Sequence, residues 1–409
     1  MSDIIFAIQR TGAIIAPLLP SSSSWLLAAF ICRVHHSIFL LCTSSEAIIG
    51  RRMMSSSPST INPTVPSLLQ RIKALDKSSL APLYTPLVLF HPQSTSSQYA
   101  VVGHAQTQFI KSTLINCQND HGETIFVVEK GSNQLGTVKD ILRLNVDLQY
   151  ERNNFNSNDA YKKPAEIFQR RTDTLEQVTN KVIPRKHSDI YPVYPFNSVD
   201  PVYDDDNVVL AHVNRSTAPY LGIDSVGVHL NCYVRHNNVI QGVWLAKRAA
   251  TKSHHPNYWD TTVAGGQPHN LSLYDNIVKE AYEEAGVPSQ WLRNDVSNEA
   301  FSDHTHDPLT MTTAKEDGSC MKRSFYYSFD LEVPDEWQPT PVDGEVQQFK
   351  LYSMEELDNE LRFGESLRPA MRAVLLDFMI RHELFKEVEG EDDCSELSKA
   401  MRRERISLW

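Results

Sequence analysis

In the second half of the chain, apolar and polar residues alternate with a period of two, and one run with a helical period interrupts them. GVHLNCYVR (Gly227 to Arg235) and VIQGVWLAKR (Val239 to Arg248) read as strands, with His236-Asn237-Asn238 as the hairpin between them. FYYSFDLEV (Phe325 to Val333) and EVQQFKLY (Glu345 to Tyr352) read as further strands, followed by SMEELDNELR and a closing helix around PAMRAVLLDFMIRHELF. The interrupting run is predicted as a helix over Leu273 to Ala285. At about 100° per residue, Leu273, Ile277, Ala281 and Ala285 with Tyr274 and Val278 form one apolar face. Ser272 is a good N-cap, Asp275 three residues on completes an S-x-x-D capping pattern, and Gly286 before Val287 and Pro288 is a strong stop. Strands around one prominent helix, with helices after them, predict an α/β chain folded as a helix–sheet–helix sandwich over 221–385.

The first half is less sharply patterned. SLLQRIKALDK (Ser67 to Lys77) has apolar residues at helical spacing, 84–150 holds short β-rich runs such as Leu87 to Phe90 and Thr124 to Val128, and 151–185 reads as helical. These predict a smaller α+β domain over 67–220. The charged turn Tyr203 to Asn207, with three adjacent aspartates, reads as a solvated loop rather than a cation site. Ser55 to Pro66 is a Ser/Pro linker, and 386–409 reads as a loosely held charged tail.

The first fifty residues differ in composition. Between Met1 and Met53 the acids are Asp3 and Glu46, whereas Arg10, Arg33, Arg51 and Arg52 punctuate apolar and Ser-rich stretches. That bias fits an organelle address, mitochondrial or plastid, over residues 1–52. If translation instead starts at Met53 or Met54, a cytoplasmic protein is expected. The apolar run Trp25 to Cys42 is broken by Arg33, Val34, His35 and His36, so no stable membrane insertion is expected.

A formal charge of −11 argues against a nucleic-acid-binding face built on bulk positive charge. The six cysteines are scattered without C-x-x-C spacing, and His254-His255 and His304-Thr-His306 have no evident third partner, which argues against a zinc site.

The informative segment is TTVAGGQPHNLSLYDNIVKEAYEEAGVP, Thr261 to Pro288. Glu280, Glu283 and Glu284 are spaced by three and four residues, so their carboxylates share one side of the helix, along the edge of its apolar face. Like charges at that spacing cost about 0.2–0.5 kcal/mol per pair, and acids near a helix C-terminus oppose the macrodipole. A divalent cation would reverse that repulsion, and oxygen ligands without His or Cys favour Mg²⁺ or Mn²⁺. An acidic helix alone could be an ordinary solvated one. The Gly265-Gly266 turn at fixed distance before it favours a site.

From Gly265, five residues lead to Leu271 and seven more to Lys279, after which Glu280-Ala-Tyr-Glu283-Glu284-Ala-Gly286-Val287 continues in register. The segment resembles the Nudix signature, G-x5-E-x7-R-E-U-x-E-E-x-G-U, with Leu271 in place of the first Glu and Lys279 in place of Arg. The resemblance implies an α/β/α sandwich with a mixed sheet, Glu280, Glu283 and Glu284 as Mg²⁺ ligands, and hydrolysis of a small-molecule diphosphate. Lys279 keeps the charge of the Arg without its bidentate fork.

Most of residues 180–385, including VGVHLNCYV and FYYSFDLEVPDEWQPTPVDGEVQQFKLYSMEEL, is similar to the Nudix subgroup that fungi fuse to thiamin pyrophosphokinase, although no kinase domain is expected after Trp409. That similarity implies hydrolysis of thiamin diphosphate, and preferentially its oxo and oxy forms, to the monophosphate and phosphate. Glu283 and Glu345 are then candidate bases for the attacking water. Lys247 and Arg248 at a strand end are candidate phosphate contacts, with Gly265, Gly266 and Lys279 lining the same site. Trp259 is a candidate to stack on a cationic aromatic ring, and His229 could face either core or cleft. The alternatives are a hydrolase of nucleoside diphosphate derivatives (ADP-ribose, NADH, coenzyme A) and a diphosphate sensor without turnover.

Overall fold

The computed structural model describes residues 66–77, 83–90, 99–132, 138–154, 164–183, 186–195, 202, 208–292, 300–314, 320–387 and 393–402. The address-like segment, the Ser/Pro linker up to residue 65 and the triple-aspartate turn lie outside the described residues.

The chain enters through helix α1 (Leu68–Leu75), started by a capping box between Ser67 and Gln70. Strands β1 (Tyr84–Phe90), β2 (Tyr99–Gln106), β3 (Phe126–Ser132) and β4 (Val138–Leu144) form a sheet of order β2-β1-β4-β3. It is antiparallel except where β1 meets β4. Helices α2 (Thr107–Ser112), α3 (Asn145–Asn154) and α4 (Pro164–Val182) follow, then the two-stranded pair β5 (Ile190–Val193) and β6 (Ala211–Asn214) and the short helix α5 (Ala218–Leu221). One apolar cluster joins Leu87, Val102, Leu142 and Leu144 of the sheet to Leu175, Val178, Val213 and Leu221. Asp147 and Arg171 form a bidentate ion pair buried beside it.

The second sheet is the expected mixed one. Strands β7 (Ser225–His236), β8 (Val239–Arg248), β9 (Trp259–Asp260), β10 (Val263–Gly266), β11 (Phe301–Ala314), β12 (Met321–Val333) and β13 (Val346–Ser353) run in the order β11-β12-β7-β8-β13, with β10 on β7 and β9 on β8. β12 and β7 are parallel and the other pairs antiparallel. Asn237 and Asn238, both at positive φ, form the two-residue turn between β7 and β8.

Both faces of β7 are buried, but only one is uniformly apolar. Val226, Val228, Leu230, Cys232 and Val234 meet Phe325, Tyr327 and Phe329 of β12 and the apolar face of helix α6 (Leu273–Ala285). Several of the intervening positions are polar: Ser225 and Ser324 share a hydrogen bond of 2.9 Å, and Asn231 donates to Asp330 at 2.9 Å. A strand core that carries polar residues is expected to pair them internally, and these bonds do so in part, Asn231 Oδ1 being buried without a hydrogen-bond partner.

The opposite layer comprises helices α7 (Met354–Phe363), α8 (Met371–Arg381) and α9 (Cys394–Met401). Their apolar residues cluster with Tyr233, Val243, Leu245 and Tyr326 of the sheet and with Leu68 and Ile72 of α1. The tail expectation needs amendment here. Residues 394–401 form a capped helix that buries Leu397 and Met401 in this core, and Arg402 pairs with Asp377 and Asp307. The apolar residues Leu397, Ala400 and Met401 recur at helical spacing among the charges, and a neighbouring core gives that stripe something to cover.

Candidate active site

Helix α6 has the bounds expected from its caps. Ser272 accepts the Asp275 N–H at 3.0 Å, and Gly286 at φ +67° carries the chain out in the left-handed conformation. The N–H groups of Gly286 and Val287 bond back to the Tyr282 and Ala281 carbonyls, which closes the helix end. The loop before the helix is fastened by Asn276, whose amide donates to the Gly266 carbonyl and to Gln267 Oε1, both at 3.0 Å. Gln267 Nε2 donates to the carbonyl of Leu271 at 2.6 Å.

The two glycines of the turn face opposite ways. A Cβ on Gly265 would collide with the Glu280 side chain, whose Cδ lies 2.8 Å from that position, so Gly265 is the seat of this glutamate. A Cβ on Gly266 would instead strike the Tyr191 hydroxyl and come within 3.4 Å of an Arg215 guanidinium nitrogen. Glycine is required at both by close approach rather than by backbone angle.

The three glutamates occupy graded environments. Glu284 is 6% exposed and accepts the Ala264 N–H at 2.9 Å. Burial pushes its carboxyl well above the usual range, and the neighbouring Glu280, Asp260 and Glu345 push in the same direction. Glu280 is raised mainly by burial, against the pull of Lys279. Glu283 is half exposed and held by Lys279 at 2.6 Å, while Lys279 also reaches Glu280 at 3.3 Å. Among the described residues no three acid, histidine or cysteine side chains converge tightly enough to coordinate an ion in the positions seen. The reason is visible in the partners: Glu284 is turned to Ala264 and Glu283 to Lys279. The donor chemistry nevertheless fits Mg²⁺, because desolvated carboxylates clustered on one helix side are stabilised by a hard cation.

The remaining candidates are dispersed. Glu345, at the entry to β13, is half exposed and paired with Lys252, and its charge is felt at both Glu280 and Glu284. Arg248 is committed to Asp260 at 3.1 Å and to the His254 carbonyl. Lys247 lies over the Trp259 ring at 5.7 Å. Trp259 itself is 9% exposed and packs edge-on to Tyr352 in the core, so its ring is covered rather than offered for stacking. Strand β9 pairs with β8 and bridges to Leu367, which turns that side chain inward. His229 is buried, bonded to Thr261 at 3.0 Å and set edge-on to Tyr326, and burial lowers its pKa to about 3.

Residues not anticipated from the pattern also gather here. Asp260 sits between Arg248 and Arg368, each at 3.1 Å, and although burial opposes it, the two guanidiniums hold its carboxyl below the usual range. Tyr191 lies on β5 and Arg215 just after β6, and the β5–β6 pair docks beside the turn through the His269 N–H bond to the Ile190 carbonyl. None of these stands in a local motif, and only the tertiary contacts bring them to the turn.

Comparison with known proteins follows the same lines. Residues 228–374 match the family model described as NUDIX domain. Nudix hydrolase 24, chloroplastic, of Arabidopsis thaliana is 27% identical over 366 residues, 87% of this chain and 93% of that protein. Nudix hydrolase 20, chloroplastic, of the same plant is 32% identical over 222 residues, and this chain spans about half of its length (54%). Among solved structures, a binary complex of a C. elegans Ap4A hydrolase is 16% identical, with 38% of this chain and 98% of that one covered and a TM-score of 0.27. The mixed sheet and acidic helix, with the Nudix hydrolases among the relatives, indicate an enzyme of the pyrophosphohydrolase class. Within that class, residues 228–374 are the part of the chain that is similar to the NUDIX domain model.

Proposed function

We propose that this enzyme is a Mg²⁺-dependent hydrolase that cleaves a diphosphate linkage in thiamin diphosphate, with preference for its oxidised oxo and oxy forms, to the monophosphate and phosphate. The observation that carries the hydrolytic half is the seating of Glu280 on Gly265 beside the desolvated Glu284 and the Lys279-held Glu283. The substrate half is supported by the similarity of residues 180–385 to the thiamin-associated subgroup. Manganese is an acceptable substitute for the same donor set.

Glu280, Glu283 and Glu284 would hold the ion. When bound, it supplies neutralisation of the phosphate oxygens and a more acidic water for in-line displacement. The chain's own part is then to orient and deprotonate. Release of Glu283 from Lys279 frees a carboxylate to accept the water's proton, and Glu345, near enough for its charge to act on Glu280 and Glu284, is the second candidate. Lys279, freed by the same exchange, is left with positive charge beside the incoming phosphate.

A panel of thiamin diphosphate, oxothiamin diphosphate, oxythiamin diphosphate, ADP-ribose, NADH and coenzyme A with Mg²⁺ tests this reading. Thiamin-type compounds should dominate, and Glu283→Gln should lower phosphate release about 100-fold or more. Dominance of ADP-ribose would reject the substrate assignment, and tight calorimetric binding without turnover would reject the reaction. The acid-poor segment over residues 1–52, with the chloroplastic relatives in support, is read as a plastid address. Fluorescent fusions with and without residues 1–52 check it.

A further inference from the structure

Strand β10 ends in two consecutive glycines, and Gly266 pairs with another glycine, Gly227 of β7, across the ladder. The strand end that seats Glu280 therefore has no side chain of its own to hold it on the opposite face. Consecutive glycines are also the least restrained backbone a chain can offer. The seat nevertheless has to be well defined, because Glu280 occupies the space of a Cβ on Gly265 and a shift of about 1 Å at a reacting centre is expensive.

Two adjacent residues of β5 supply the missing restraint. The Tyr191 hydroxyl stands where a Gly266 side chain would begin, with the ring carbon Cζ 3.4 Å from that position. The Ile190 carbonyl accepts the His269 N–H at 3.0 Å, three residues further along the loop. Gly266 and His269 are thus gripped by one strand, which is itself anchored. Tyr191 and Val193 belong to the apolar cluster of the first sheet, and β6 is tied to α4 by the His212 N–H, which donates to Thr172 Oγ1 at 3.0 Å. Arg215, paired with Asp189 at 2.8 Å, lies 5.8 Å from the centre of the Tyr191 ring. From the other side, Asn276 of α6 holds the Gly266 carbonyl, and the Gln267 N–H donates to the Val226 carbonyl. The turn is clamped between α6 and β5.

We propose that Tyr191 is a positioning residue for Glu280: by filling the space of the absent Gly266 side chain, it fixes the glycine turn from the face opposite the glutamate and so sets the carboxylate that would hold the ion. Tyr191 lies outside the residues 228–374 that match the family model, so the preceding segment completes the framework of the active site. The fit is reciprocal. With the hydroxyl removed, the nearest atoms to a Cβ at position 266 would lie at 3.4 Å, an ordinary contact, so a methyl group there becomes tolerable once Tyr191 is shortened. The inference rests on the reading of Glu280 as a Mg²⁺ ligand.

The test uses the full chain, Mn²⁺ alone as a binding probe read by the paramagnetic resonance of the free ion, and turnover of the best substrate in the panel above. Gly266→Ala should weaken Mn²⁺ binding about 10-fold or more, the range for residues that orient metal ligands, and lower kcat more than it raises KM. Tyr191→Phe should stay within about threefold of the wild type, and adding it to Gly266→Ala should restore Mn²⁺ affinity and kcat to near that level, the coupling expected of residues in contact. Tyr191→Leu, which stays apolar but cannot reach the turn, should lose Mn²⁺ affinity by itself. Leu397→Ala, in a helix remote in sequence from the turn, should lower the melting temperature and leave Mn²⁺ affinity unchanged, which separates positioning from general loss of stability. A double variant no better than Gly266→Ala, or wild-type Mn²⁺ affinity in folded Gly266→Ala, would overturn the proposal. If Gly266→Ala does not fold alone, folded Tyr191→Leu decides, and wild-type Mn²⁺ affinity there overturns it. A wild-type chain that neither binds Mn²⁺ nor cleaves any diphosphate would overturn the reading of α6 itself, a failure visible before any variant is compared.

Discussion

At the scale of single residues, Gly265 and Glu280 form a unit whose importance the spacing of the signature only hints at. The glutamate's methylene and carboxyl carbons fill the space a Cβ would take, so a methyl group there must displace the side chain that would hold the ion. Gly265→Ala should therefore lower kcat/KM by about 100-fold while the melting temperature changes by only a few degrees, because a misplacement near 1 Å at a reacting centre costs that much. Equal losses of activity and stability, or none of either, would contradict this. The partner residue Lys279 shows how a departure from the expected Arg is absorbed. Its ammonium reaches both Glu280 and Glu283, as a point charge on a flexible stem can, without a bidentate geometry.

At the scale of elements, the helix that carries the glutamates was legible almost to the residue. Its apolar stripe, N-cap and left-handed glycine are all local signals, and each is satisfied by neighbours in sequence. The C-terminal segment shows the converse. Its charge suggested a solvated tail, whereas Leu397 and Met401 are buried against a core that includes Leu68 and Ile72 from the other end of the described chain. Leu397→Ala should lower stability by about 2–5 kcal/mol in urea unfolding, the range for a large core residue reduced to alanine. A shift below about 0.5 kcal/mol, typical of exposed positions, would mean the helix is not held.

At the scale of the whole molecule, acid stability follows from two buried histidines in separate cores. Burial lowers both His104 and His229 to about 3, against 6.5 for an ordinary histidine. Between those values the unfolded chain takes up a proton that the folded protein does not, so this contribution is fully present above pH 6.5 and is lost as the pH falls toward 3. His104→Gln should flatten the rise of unfolding free energy with pH between about 4 and 6 by about 1 kcal/mol per pH unit, measured by urea unfolding at each pH. An unchanged slope would contradict it. The site itself divides in the same way. The sequence alone determined the acidic helix, the glycine turn and the strand alternation, because each depends on residues within a few positions of one another. The burial of Trp259 was not legible because a strand pattern does not say which face is covered, and the ion pair of Arg248 was not because a cation does not announce its buried carboxylate. Only the tertiary structure decided that Tyr191 and Arg215 stand against Gly266 of the turn. Both lie more than fifty residues before that glycine, and no local period or cap encodes a meeting at that distance.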